Sequence, residues 1–185
     1  QWAAIDAVNA QWQPRGVRLL KGIESDILAE GALDYDDEML AGFDFIVASV
    51  HSRFKLDEDA QTARIVRAIE HPRTTILGHA TGRLLLERDS YAVRLDAIID
   101  ACARTGTIIE INANPARLDM DWRHVRRAVE RGCLVSIGPD AHELRGLDDT
   151  RFGVAMARKA WVPAAQCVNT WSVEEFLKYA RTKKR

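Results

Sequence analysis

Short apolar runs recur along this chain, and stretches with helical spacing separate them. The runs cover 18–25, 45–50, 74–77, 107–113 and 133–137. Between them apolar residues return at helical intervals, as at Ala60, Ala63, Ile65, Val66 and Ile69. His71-Pro72 closes that stretch, and Gly106 and Gly132 follow two others where a left-handed cap is expected. Strands that alternate with helices run parallel, because each helix carries the chain back to the starting end of the sheet. The expected architecture is therefore α/β. About five strands are convincing. A closed parallel barrel needs more, so the sheet is expected to be open or incomplete. Neither a linker nor a repeat interrupts the pattern, and a single domain over 1–185 is expected.

Parallel strands bring their C-terminal ends to one face, and loops there carry binding residues. Metal-capable side chains recur at those ends. Glu24 follows the run from Val17, His51 ends Phe45-Ile-Val-Ala-Ser-Val50, and His79 follows Thr75-Ile-Leu-Gly78. Asp140 and His142 close Val135-Ser-Ile-Gly-Pro-Asp-Ala-His142. One histidine alone is an ordinary surface or core residue. Several at matching places are not explained that way. Carboxylate with imidazole suits zinc, manganese or iron, and such sets can hold adjacent ions that act on phosphate esters. His71 and His124 stand outside the strand-end pattern and are left out.

Two further groups accompany the ligands. Glu110 and Asn112, two apart on one strand, face the same way. They read equally well as support for the site or as a satisfied polar pair in the interior. Arg53, Arg83 and Arg117 follow strand ends, where a guanidinium suits phosphate and a surface ion pair competes for each.

Composition excludes some classes. A formal net charge of −1 does not announce a nucleic-acid binder, although charge is segregated. Asp34, Asp36, Asp37, Glu38 and Asp44 form an acidic stretch. Arg117, Arg123, Arg126, Arg127 and Arg131 form a basic one, and the chain ends in the basic Arg181-Thr-Lys-Lys-Arg185. Cys102, Cys133 and Cys167 lack knuckle spacing and suggest reduced thiols in a cytoplasmic protein. No apolar run approaches membrane-spanning length, so no membrane is expected as a partner.

Lys21-Gly-Ile-Glu24, Ala48-Ser-Val-His-Ser-Arg-Phe54, Leu77-Gly-His-Ala-Thr-Gly-Arg83, Glu110-Ile-Asn-Ala-Asn-Pro115 and Asp140-Ala-His142 resemble the PHP (polymerase and histidinol phosphatase) family. Ser52-Arg-Phe54 and Thr81-Gly-Arg83 make the resemblance stronger toward the C-terminal PHP domain of bacterial X-family DNA polymerases. The resemblance implies a distorted (β/α)7 TIM-like barrel, here incomplete, with up to three manganese, zinc or iron ions. It implies Glu24, His51, His79, Asp140 and His142 as metal ligands, with His51, Asp140 and His142 at the reacting centre. Arg53, Arg83 and Arg117 are the expected substrate contacts. The implied activity is a 3′-5′ exonuclease in repair, with DNA 3′ ends as substrate and polymerase domains in the same full-length chain. The alternatives are a small-molecule phosphatase of the histidinol-phosphatase type and a non-catalytic scaffold. The family's opening His-x-His strand and the strand after it have no counterpart here, so a fragment lacking its N-terminal strands is expected. The open sheet edge this leaves makes a second copy a candidate partner.

Overall fold

The computed structural model describes residues 1–182, and the end of the basic tail, 183–185, lies outside them. Its five strands form one sheet in the order β1-β2-β3-β4-β5. They are β1 (Gly22–Asp26), β2 (Phe45–Ser49), β3 (Ile76–Leu77), β4 (Ile108–Asn112) and β5 (Val135–Gly138). Each pairs in parallel with its neighbour in sequence. The helices are α1 (Trp2–Trp12), α2 (Asp37–Ala41), α3 (Glu58–Glu70), α4 (Leu95–Thr105), α5 (Trp122–Glu130), α6 (Thr150–Lys159) and α7 (Val173–Thr182). The expected α/β architecture with parallel strands is present. The first strand starts later than expected, at Gly22, and β3 is shorter than its apolar run.

Local chemistry sets the helix ends. Asp57 caps α3 by accepting the Ala60 N–H at 2.8 Å, and Asp121 caps α5 through the Arg123 N–H at 2.9 Å. Gly106 ends α4 at φ +71°, a conformation that needs no Cβ clearance when the residue is glycine.

The sheet is apolar on both faces. On one face Ile46, Ala48, Leu77, Ile109 and Ile111 join Ile65, Ile69, Ile98 and Ile99 in the main core. On the other, Val47, Ile76 and Ile108 lie in register and pack with Phe176 and Tyr179 of α7. Period two along the strands then decides what this inner face shows toward the C-terminal ends. Glu24 pairs with Val47, and Glu110 with Ser136. The inner face thus changes from apolar, where α7 covers it, to polar at the strand ends. A cleft of about 340 Å³ runs along it from Phe176 to Glu110. Among the described residues no helix is long and apolar enough to cross a membrane.

Candidate metal centre

Three neighbouring strands deliver three side chains to one point. Glu24 stands on β1, His51 just beyond β2 and His79 just beyond β3. Glu24 Oε1 lies 3.1 Å from His79 Nε2 and 3.4 Å from His51 Nε2. The two imidazole rings meet edge to face at 5.0 Å between centroids. One ligand atom from each residue falls within 4.8 Å of the others, so the group could hold a metal ion.

Neighbours hold these side chains in place. Asp26 Oδ1 sits 2.5 Å from His51 Nδ1, leaving Nε2 toward Glu24. The His79 backbone N–H donates to Glu110 Oε2 at 2.7 Å. Asn112 Nδ2 donates to the same oxygen and to Asp140 Oδ2, each at 3.2 Å. Of the two sequence readings for Glu110 and Asn112, the geometry favours support of the site. Gly138 makes room for it, because a Cβ there would stand 2.7 Å from Glu110 Oε1. His79, Asp140 and Arg53 all take positive φ, at 20°, 52° and 57°. Non-glycine residues adopt such angles only when their surroundings impose them.

Electrostatics follow the geometry. Hydrogen bonds from His51 and then His79 hold Glu24 well below the usual carboxylate range. The Glu24 carboxylate, helped by Asp26, raises His51 to about 9 against the effect of burial. Burial pushes Glu110 up to about 7 despite its hydrogen bonds.

The other expected site residues divide. Asp140 joins through Asn112 and an ion pair with Arg117 at 3.2 Å. His142 is not brought to the group: its side chain is 84% exposed, and Nδ1 rests 2.8 Å from the Asp140 carbonyl. Arg83 is turned to the backbone of the β4–α5 loop, donating to the Arg117 carbonyl at 3.0 Å and to that of Leu118. Arg53 is exposed.

Sequence reasoning passed over two supports. Buried Arg64 donates to the carbonyls of Ile27, Leu28 and Ser52, tying the loops after β1 and β2 together. Fully buried Asp119 accepts the Thr81 N–H at 3.0 Å and the Thr81 hydroxyl at 2.8 Å, fixing the loop after His79. A charged residue on the apolar face of α3 was the one visible sign of the first.

The residues fit a divalent cation. His79 is 2% exposed, and its Nδ1 has no hydrogen-bond partner among the described residues. The other ring nitrogen, Nε2, faces Glu24 and is the donor atom turned to the shared point. One carboxylate and two imidazoles are also a donor set suited to zinc or manganese.

No family model matches the chain. It is 42% identical over 177 residues to the DNA polymerase/3′-5′ exonuclease PolX of Bacillus subtilis. That alignment covers 94% of this chain and 31% of the relative, so the chain spans under a third of that protein. It is 26% identical over 180 residues to a probable phosphatase of Caldanaerobacter subterraneus, covering 92% of the chain and 68% of the relative. A probable phosphatase of Thermoanaerobacter sp. is 29% identical over 182 residues, at 92% and 71% coverage. The parallel sheet, the Glu–His–His group at its C-terminal ends and these relatives agree on a phosphoesterase of the PHP type. The chain resembles the PHP family, and its likeness to PolX carries the resemblance to the X-family polymerase branch.

Proposed function

We propose that residues 1–185 form the metal-dependent phosphoesterase domain of a bacterial X-family DNA polymerase, acting as a 3′-5′ exonuclease on DNA ends in repair. The convergence of Glu24, His51 and His79 at adjacent strand ends is the observation that carries this reading. Likeness to PolX supports the polymerase context, the DNA substrate and a cytoplasmic setting. The sheet is then the larger part of a distorted seven-stranded barrel.

Glu24, His51 and His79 would hold the cation, with Asp140 as a further ligand and manganese or zinc as the ions; His142, whose side chain stands in solvent, is left out of the set. A cation held there supplies positive charge against the phosphate and acidifies a water. The chain's own residues do the rest. Asp26 orients the His51 ring, and Glu110 holds His79 by its backbone. Arg117 and Asn112 keep Asp140 in place. Exposed Arg53 takes a phosphate oxygen, while Arg83 steadies the loop that carries Arg117.

The test is His51→Ala and Asp140→Ala in the full-length protein. Both lose manganese-dependent exonuclease activity by a factor of about 100 or more. Wild-type turnover by either variant rejects the assignment. The probable-phosphatase relatives favour a second reading, hydrolysis of small phosphate monoesters. Faster phosphate release from an amino-alcohol phosphate than nucleotide release from single-stranded DNA would select it. An inert scaffold predicts no tightly bound ion on metal analysis. A second copy paired at the sheet edge predicts a dimer mass in light scattering, and monomers alone would exclude it.

A further inference from the structure

The loop after β3 ends in a hairpin whose tip the fold does not use. The Leu84 N–H donates to the Arg88 carbonyl and the Arg88 N–H to that of Leu84, both at 2.8 Å. Between them Leu86 is fully exposed, at 108%, with φ +68°. Glycine and asparagine accept that backbone angle, whereas leucine is strained by it. A leucine that gains no burial and strains its backbone has no reason in folding to be there.

The tip is nevertheless held firmly. The Leu85 N–H donates to the Ala116 carbonyl at 2.6 Å. Arg88 lies 4.2 Å over the Phe54 ring and donates to the Gly82 carbonyl at 2.8 Å. Tyr91 stacks on Phe54 at 6.2 Å between centroids and donates its hydroxyl to the Ala80 carbonyl at 2.8 Å. Its base adjoins the metal-capable group, since the Gly82 N–H bonds the His79 carbonyl at 2.9 Å. Phe54 brings the β2–α3 loop against the hairpin, and its neighbours Arg53 and Lys55 are exposed.

The apolar tip thus belongs to a hairpin whose base adjoins the Glu–His–His group and packs on Phe54, the residue between the exposed Arg53 and Lys55. A small phosphate ester offers such a tip nothing to touch. A nucleotide strand offers both phosphates for the cations and flat bases for the leucine. Docking of a protein would call for a wider apolar patch, whereas here the exposed pair Leu85 and Leu86 is followed by Glu87, Arg88 and Asp89.

We propose that Leu86 packs against a base of a single-stranded nucleic acid whose terminal phosphodiester lies at Glu24, His51 and His79. Arg53 and Lys55 take phosphates of the adjoining nucleotides. This deepens the phosphodiesterase reading above and rests on it.

The experiment compares the full-length wild type with Leu86→Asn and Leu86→Met, supplied with manganese. Hydrolysis of bis(p-nitrophenyl) phosphate reports the centre itself. Its inhibition by a single strand ending in phosphorothioates reports strand binding at this site alone. Asparagine suits the backbone angle, so Leu86→Asn folds with an undiminished thermal midpoint. Its inhibition constant rises about tenfold, the small diester keeps its rate, and Leu86→Met stays near wild type. An unchanged inhibition constant in Leu86→Asn overturns the inference while leaving the functional reading intact. Equal losses on the diester and the strand also overturn it, since the hairpin would then act by shaping the centre. A wild type that cleaves the diester but is not inhibited by the strand fails the exonuclease reading itself, and the inference with it.

Discussion

His79 is tied into the centre at every level of its structure. Its ring meets Glu24, its backbone N–H meets Glu110, and its φ is positive. The loop that follows depends on Thr81 and Asp119, both buried. Burial raises the Asp119 pKa, and the two bonds from Thr81 oppose that rise. A carboxyl whose folded pKa lies above its unfolded value binds protons more tightly when folded. Its contribution to stability is therefore greatest at low pH and falls as pH rises through the folded value. Thr81→Val removes the hydroxyl donor, so the raised pKa rises further and the loss of stability toward neutral pH widens. The expected cost is about 1–3 kcal/mol at neutral pH and less in acid, measured by urea unfolding across that range. At Gly138, substitution by alanine pushes the Glu110 carboxylate away from the His79 N–H. A stability loss of about 1–2 kcal/mol is expected by the same measurement. The ligand types themselves were legible in the sequence. Their partners were less so: Asp26 beside His51 lay unremarked in the chain, because its role depends on a register between β1 and β2.

At the level of elements, capping and periodicity carried much of the message. Apolar residues at helical spacing announce α3, and the structure adds a cap that the sequence reading did not name, Asp57. Asp57→Ala should cost about 1 kcal/mol in thermal unfolding and leave the metal centre untouched. The three cysteines, scattered in sequence, are all buried in the packing of strands and helices. Burial lifts the Cys133 thiol to about 11, which leaves little thiolate at neutral pH. Thiol-directed reagents should therefore label the folded chain far more slowly than the urea-unfolded one, and equal rates would contradict this packing. The β3 run was harder to place. Its strand is two residues long because the chain turns at once into the Gly78–His79 loop, which serves the site rather than the ladder.

The whole molecule is a sheet whose inner face is apolar where α7 covers it and polar at its far end. A cation bound to Glu24, His51 and His79 joins three strands that are distant in sequence. It should raise the stability of the folded chain by about 2.7 kcal/mol at one hundred times the dissociation constant. Thermal unfolding with manganese or zinc should show that shift, and Glu24→Gln should remove it. The same shift in Glu24→Gln would mean that the ion binds elsewhere.

The sequence alone determined the alternation of strand and helix, the placing of Glu24, His51, His79, Asp140 and His142 at strand ends, and the family resemblance. These are local properties: periodicity, capping and motif order survive in a one-dimensional reading. Only the tertiary structure decided that Glu24, His51 and His79 converge while the His142 side chain stands in solvent. It also decided that Arg83 and Arg117 turn to a carbonyl and a carboxylate of their own chain. Buried Arg64 and Asp119 belong to the same class. Arg64 reaches the carbonyls of Ile27 and Leu28, and Asp119 reaches Thr81, each more than 30 residues away in the chain, and a hydrogen bond across that distance leaves no periodic trace in the sequence.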